Sequence, residues 1–172
     1  MNRSTPALDP ETRLATNGHD ALRLWLQLFT STALIERELS LRLKREFDCS
    51  LSRFDLLAQL QRAANGLGMT ELSARLLVTG GNITWLVSSL QRDGMVSRGR
   101  TAADGRAVLV QLTPAGRRAF EAMARAHEVW VTELLSGISQ RDRRALITTL
   151  GGVKGRVTEQ ITQRLAREEE AI

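Results

Sequence analysis

Between Thr79 and Arg92 the chain reads Thr-Gly-Gly-Asn-Ile-Thr-Trp-Leu-Val-Ser-Ser-Leu-Gln-Arg. If this run is helical, Ile83, Leu86, Val87 and Leu90 share one side at spacings i, i+3, i+4 and i+7. The opposite side then carries Gly81, Asn82, Trp85, Ser88, Ser89 and Arg92. An Asn carboxamide offers the donor and acceptor that match an adenine edge, a Ser hydroxyl serves several acceptors, and an indole can meet a thymine methyl. Gly80 and Gly81 fall in the first turn, where bare backbone N–H groups can approach a phosphate closely. Thr79 and Thr84 join these residues as candidate contacts. Taken alone, the same face reads equally well as the ordinary exposed side of an amphipathic helix.

The segment that follows adds charge. From Gly68 to Arg118 there are seven arginines against three acids, a local excess of +4 in a chain of net +5. Arg98, Arg100 and Arg106 fall on a stretch of period-two alternation, with Asp104-Gly105 as the turn signal. Arg106, beside that turn, would project from a hairpin tip, where the negative potential of a minor groove attracts arginine.

These groups need elements to hold them. Met1 to Gly18, with Pro6, Pro10, Asn17 and Gly18, reads as a flexible arm. Helical periodicity starts near His19, with one apolar line through Leu22, Trp25, Leu26, Phe29 and Ala33 and a second through Leu28, Ile35, Leu39 and Leu43. So broad an apolar surface belongs to a helix covered on more than one side. A second helix is expected from Ser52, with Ser52 and Asp55 as a capping box, Leu51 and Leu56 as a staple, and Asn65-Gly66 as its end. A short helix over Thr70 to Leu77 precedes the one capped by Thr79 and stopped by Gly94. Strands are expected over Met95 to Arg100 and Arg106 to Leu112. Thr113-Pro114 opens a helix to about Ser136, and Ser139 with Asp142 caps a last one. Gly151, Gly152 and Gly155 in that last helix point to a close approach or a kink. Four helices, a hairpin and two helices describe a mainly α chain with a small β-hairpin wing.

The bulk numbers fit. A chain of 172 residues with 42% hydrophobic and 25% charged residues is an ordinary globular protein long enough for a real core. The sequence pI of about 10.8 favours a polyanionic partner. Lysine occurs only at Lys44 and Lys154, so the basic charge is almost all arginine, suited to bidentate contacts with phosphate and guanine. Cys49 is the only cysteine, which excludes an intrachain disulfide. No apolar run is long enough to span a membrane and no signal-peptide core is evident, so a cytoplasmic location without membrane contact is expected.

Two short helices joined by a tight turn and followed at once by a hairpin form a winged helix-turn-helix. The stretch Leu72-Ser73-Ala74-Arg75-Leu76-Leu77-Val78-Thr79 with Gly80-Gly81-Asn82-Ile83-Thr84-Trp85-Leu86-Val87-Ser88-Ser89-Leu90 resembles the helix-turn-helix of the MarR family of transcriptional regulators. Arg92-Asp93-Gly94-Met95-Val96-Ser97-Arg98, and Asp104-Gly105-Arg106 through Leu112-Thr113-Pro114-Ala115-Gly116-Arg117, resemble its wing and the start of the next helix. The likeness runs from about Leu51 to Arg117, and the flanking helices fit by order and length. Leu77 stands where many members have glycine, Trp85 where many have a basic or small residue, and Thr101-Ala102-Ala103-Asp104 replaces the common Asp-Pro turn. These departures bear on base preference rather than on fold.

The resemblance implies a flexible arm over 1–18, a dimerisation helix over 19–48, a DNA-binding domain over 49–113 and C-terminal dimerisation helices over 114–172. It implies a homodimer on a palindromic double-stranded operator, usually as a repressor released by a small aromatic effector in a cleft between dimer helices and winged domain. Val78-Thr79-Gly80-Gly81-Asn82 is similar to members that control degradation of aromatic acids, some of which sense CoA thioesters. Trp25 and Phe29 are the candidate effector contacts, against plain core packing. Regulators of the same fold that sense oxidants or need no ligand are the alternative, and a non-DNA interaction module is a further one. Cys49 lies between the first two helices rather than at the start of the first, which favours an inert structural thiol. His19 and His127 are too isolated to make a metal site. No nucleophile–base arrangement or phosphate-binding loop stands out, so no catalytic residue, metal or cofactor is expected.

Overall fold

The computed structural model describes residues 19–100 and 108–170, which leaves the expected arm and the hairpin tip with Arg106 outside the described residues. The chain forms two compact units, 1–131 and 132–172. In the first, α1 (Asp20–Phe47), α2 (Leu51–Gln61), α3 (Met69–Leu76) and α4 (Gly80–Arg92) precede β2 (Val96–Arg100), β3 (Val108–Leu112) and all but the last three residues of α5 (Pro114–Leu134). A further strand, β1 (Leu67–Gly68), was not legible from alternation, because two residues carry no period. It pairs antiparallel with β3, giving a three-stranded sheet of order β1-β3-β2. Gly66, at φ +81°, turns the chain into β1 rather than ending α2, which stops at Gln61.

The core gathers Leu39 and Leu43 of α1, Leu56, Leu57 and Leu60 of α2, Leu72 of α3, Ile83, Val87 and Leu90 of α4, and Val96 and Val110 of the sheet. Ser50, not Ser52, caps α2: it is extended (φ −79°, ψ 154°) and its Oγ accepts the Arg53 N–H at 3.3 Å. Ser52 therefore lies inside the helix, and the staple positions become Cys49 and Phe54, both in the core. Thr113 caps α5 as expected, accepting the Gly116 N–H on Oγ1 at 2.9 Å. The second unit holds α6 (Gln140–Glu170), capped by Ser139, whose Oγ accepts the Asp142 N–H at 3.2 Å. It is a continuous helix through Gly151, Gly152 and Gly155.

Two helices keep apolar faces in the open. In α1 the buried residues are Leu39 and Leu43, while Leu22, Leu24, Trp25, Phe29 and Leu34 are exposed. In α6, Leu146, Ile147, Leu150, Val157, Ile161 and Leu165 are exposed.

Candidate nucleic-acid interface

The helix-turn-helix is α3 and α4. Leu77 closes α3 in the left-handed conformation (φ 54°), and the Val78 N–H returns to the Ser73 carbonyl at 3.2 Å. The Ser73 hydroxyl donates to the Val78 carbonyl at 2.5 Å, so the turn is bonded twice over. Thr79 occupies the N-cap of α4 with extended backbone, but its side chain makes no capping bond. The inward face of α4 is the expected one: Ile83, Leu86, Val87 and Leu90 are buried. Gly80, Gly81, Asn82, Thr84, Trp85 and Arg92 are exposed, and Ser88 is partly so.

Ser89 departs from the expected outward face and is 8% exposed. A helical wheel places it beside Asn82, but the wheel ignores neighbours. Arg53 of α2 reaches across the C-terminal half of α4, with Nη1 3.5 Å from the Ser89 hydroxyl and Nη2 paired to the Asp93 carboxylate. Asp93 is the C-cap of α4 and precedes Gly94, whose φ of +68° sends the chain into β2. The recognition helix is thus held by α3 at its start and braced by α2 at its end. No sequence spacing joins Arg53 to Asp93, forty residues on.

The wing pairs Val96 with Leu112, Arg98 with Val110 and Arg100 with Val108. Arg98 lies two residues nearer the hairpin end than Val96, on the same strand face. Arg98 is exposed, and its Nη2 donates to the Ser88 hydroxyl at 3.0 Å, tying wing to recognition helix. Arg106 lies outside the described residues.

Trp25 and Phe29, the expected effector contacts, meet at a tilt with ring centroids 5.9 Å apart on the open face of α1, each 57% exposed. A walled cleft of about 460 Å³ lies elsewhere, between α2, α3 and α5. Phe54 of α2 stacks on His127 of α5 at 4.7 Å and on Phe120 at 5.5 Å. Asp55, Arg62 and Arg75 line the same cleft, and Arg75 is paired to Glu71 at 2.7 Å. Burial, and secondarily Glu36, pushes the Asp55 carboxyl up, while burial pushes His127 down. Phe120, Ala124 and His127 share one face of α5 at i, i+4 and i+7, a face the sequence reading did not single out. Their partner across the cleft was not legible either. Burial also pushes the Cys49 thiol up, away from the reactive thiolate. Among the described residues no cluster of His, Cys, Asp or Glu is suited to a metal, and no helix is long and apolar enough to cross a membrane.

Comparison with known proteins gives this geometry a family. A family model described as "MarR family" matches residues 47–107. YdgJ of Bacillus subtilis, an uncharacterised HTH-type transcriptional regulator, is 32% identical over 108 residues, 63% of this chain and 65% of that protein. The alignment therefore spans just under two thirds of that relative. Mb0904 of Mycobacterium bovis, also an HTH-type transcriptional regulator, is 30% identical over 68% of this chain and 83% of its own. YetL of Bacillus subtilis, an HTH-type transcriptional repressor, is 28% identical over 77% of this chain and 82% of its own. A MarR family transcriptional regulator from Silicibacter pomeroyi superposes with a TM-score of 0.68 at 34% identity, covering 81% of this chain and 96% of its own. Sco3205 of Streptomyces coelicolor, solved in complex with DNA, shares the fold at 22% identity, with a TM-score of 0.72, covering 83% of this chain and 93% of its own. The relatives are regulators rather than enzymes, and the chain belongs to the MarR family of transcriptional regulators.

Proposed function

We propose that this regulator works as a homodimer on a palindromic operator, with α4 in the major groove and the wing in the adjacent minor groove, and that it represses until a small aromatic acid or its thioester binds. The observation that carries the reading is the exposed α4 face of Asn82, Trp85 and Arg92 set beside an arginine-bearing hairpin. The exposed apolar faces of α1 and α6 are the surfaces a second copy would cover isologously. The domain division at 19–48, 49–113 and 114–172 belongs to this reading. Support for DNA as partner comes from Sco3205, and support for repression from YetL. BadR of Rhodopseudomonas palustris, 27% identical over 125 residues and named a transcriptional activatory protein, marks the opposite sign.

The cleft between α2 and α5 is the better seat for an effector than the open Trp25–Phe29 face. It offers stacked rings for a planar ligand and the Arg62 guanidinium for a carboxylate.

The test is fluorescence anisotropy on a duplex selected by binding, against a scrambled duplex, across a salt series. Arg106→Ala should weaken both duplexes and lower the salt slope by about two units, one contact per subunit. Asn82→Ala should cost about 1–3 kcal/mol per base contact on the selected duplex alone. Sedimentation should show about twice the 19.1 kDa chain mass. A monomer, or equal affinity for both duplexes, would overturn the reading. Transcription in vitro, with and without benzoates and hydroxycinnamates or their CoA thioesters, decides the sign and the effector.

A further inference from the structure

The outward face of α4 carries fewer free polar groups than its sequence shows. The Thr84 hydroxyl donates back to the Gly80 carbonyl at 2.9 Å, so its proton is taken by its own helix. The Ser88 hydroxyl accepts from Arg98 at 3.0 Å, and Ser89 is buried. Gly80 and Gly81 have no side chain, and a Cβ added to either would meet open space. What remains exposed on the helix is Asn82, Trp85 and, in the last turn, Gln91 and Arg92. Trp85 is 63% exposed and is the one large apolar side chain exposed on α4, whose other large apolar residues are buried.

An indole is a poor hydrogen-bond reader. It has one N–H donor and no acceptor, so it cannot make the two-bond pairing by which side chains distinguish bases. In an intact duplex its apolar surface has one specific counterpart in the major groove, the thymine C5-methyl group. Asn82 lies three residues before Trp85, about 4.5 Å along the helix axis. Successive bases on a strand are about 3.4 Å apart, so the two side chains meet neighbouring base pairs.

We infer that Trp85 is a specificity-determining residue that reads a thymine methyl, next to an adenine read by Asn82, so each operator half-site carries two successive A·T pairs at this position. The inference rests on α4 being the major-groove helix and deepens that reading.

Uracil is thymine without the methyl, and every Watson–Crick group is kept. The full-length protein is titrated against its selected operator with each symmetric pair of thymines replaced by uracil in turn. One pair should weaken binding about fourfold per half-site, the worth of one buried methyl, or about 15-fold over both. Trp85→Ala should bind the thymine operator more weakly and lose the thymine–uracil difference, while Trp85→Phe keeps part of it. Indifference of the unaltered protein to every uracil, with Asn82→Ala still losing affinity on the selected duplex alone, would overturn the inference and leave the operator reading standing. A uracil effect that persists in Trp85→Ala would overturn it equally. Failure to select any duplex would overturn both.

Discussion

Gly116→Ala should destabilise the protein by about 3 kcal/mol, although alanine is the better helix former. Gly116 sits in the first turn of α5, and a Cβ built there would run into the carbonyl oxygen, carbon and Cα of Met95. That obstacle is backbone and cannot swing aside. The Met95 carbonyl also accepts the Thr113 N–H at 3.0 Å, and the Thr113 hydroxyl donates to the neighbouring Gly94 carbonyl at 2.6 Å. Separating α5 from the Met95 segment strains or loses both bonds, at about 0.5–1.5 kcal/mol each. Forced overpacking adds about 1–3 kcal/mol. The intrinsic gain of alanine over glycine returns about 1 kcal/mol, leaving a clear net loss. Urea denaturation at fixed protein concentration, followed by tryptophan fluorescence and circular dichroism, measures it. Gly81→Ala is the control, because a Cβ there meets nothing within 4 Å and should be neutral or stabilising by up to about 1 kcal/mol. Equal stability of Gly116→Ala and the unaltered protein would refute the reasoning, since α5 would then have room to spare where it leaves the wing.

Two further outcomes follow from the helix-turn-helix. Leu77→Gly should raise stability by about 0.5–1 kcal/mol, because Leu77 holds φ 54° while 93% exposed, and the left-handed strain exceeds the chain entropy of glycine. A drop in the urea midpoint would show that the leucine is covered in the assembled protein. Arg53→Met and Asp93→Asn should each weaken the bracing of α4, with a coupling of about 0.5–1 kcal/mol in a double-mutant cycle, a modest figure because both groups keep contact with solvent. Additive losses would mean that the pair does no work across α2 and α4.

The sequence by itself determined whatever depended on near neighbours. The apolar line Ile83, Leu86, Val87, Leu90 spans the whole of α4, so its period fixes which side is buried. Thr113-Pro114 and Ser139-Asp142 announce helix starts because a cap acts over three residues, and both caps form. Gly94 ends α4 for a reason carried by one residue, its positive φ. The exposure of Asn82, Trp85 and Arg92 on the opposite side was legible on the same grounds, as was the family. Tertiary structure decided the rest, because the deciding partner is remote in sequence and no local signal names it. The cap of α2 falls on Ser50 rather than Ser52, which places Cys49 and Phe54 in the core as a capping pair. Strand β1 exists only because Val110 and Leu109 lie beside it. Ser89 is covered because Arg53 crosses to Asp93, and the Ser88 hydroxyl is engaged because Arg98 of the wing comes within reach. A helical wheel gives the direction of a side chain, and only the packed chain determines what stands in that direction.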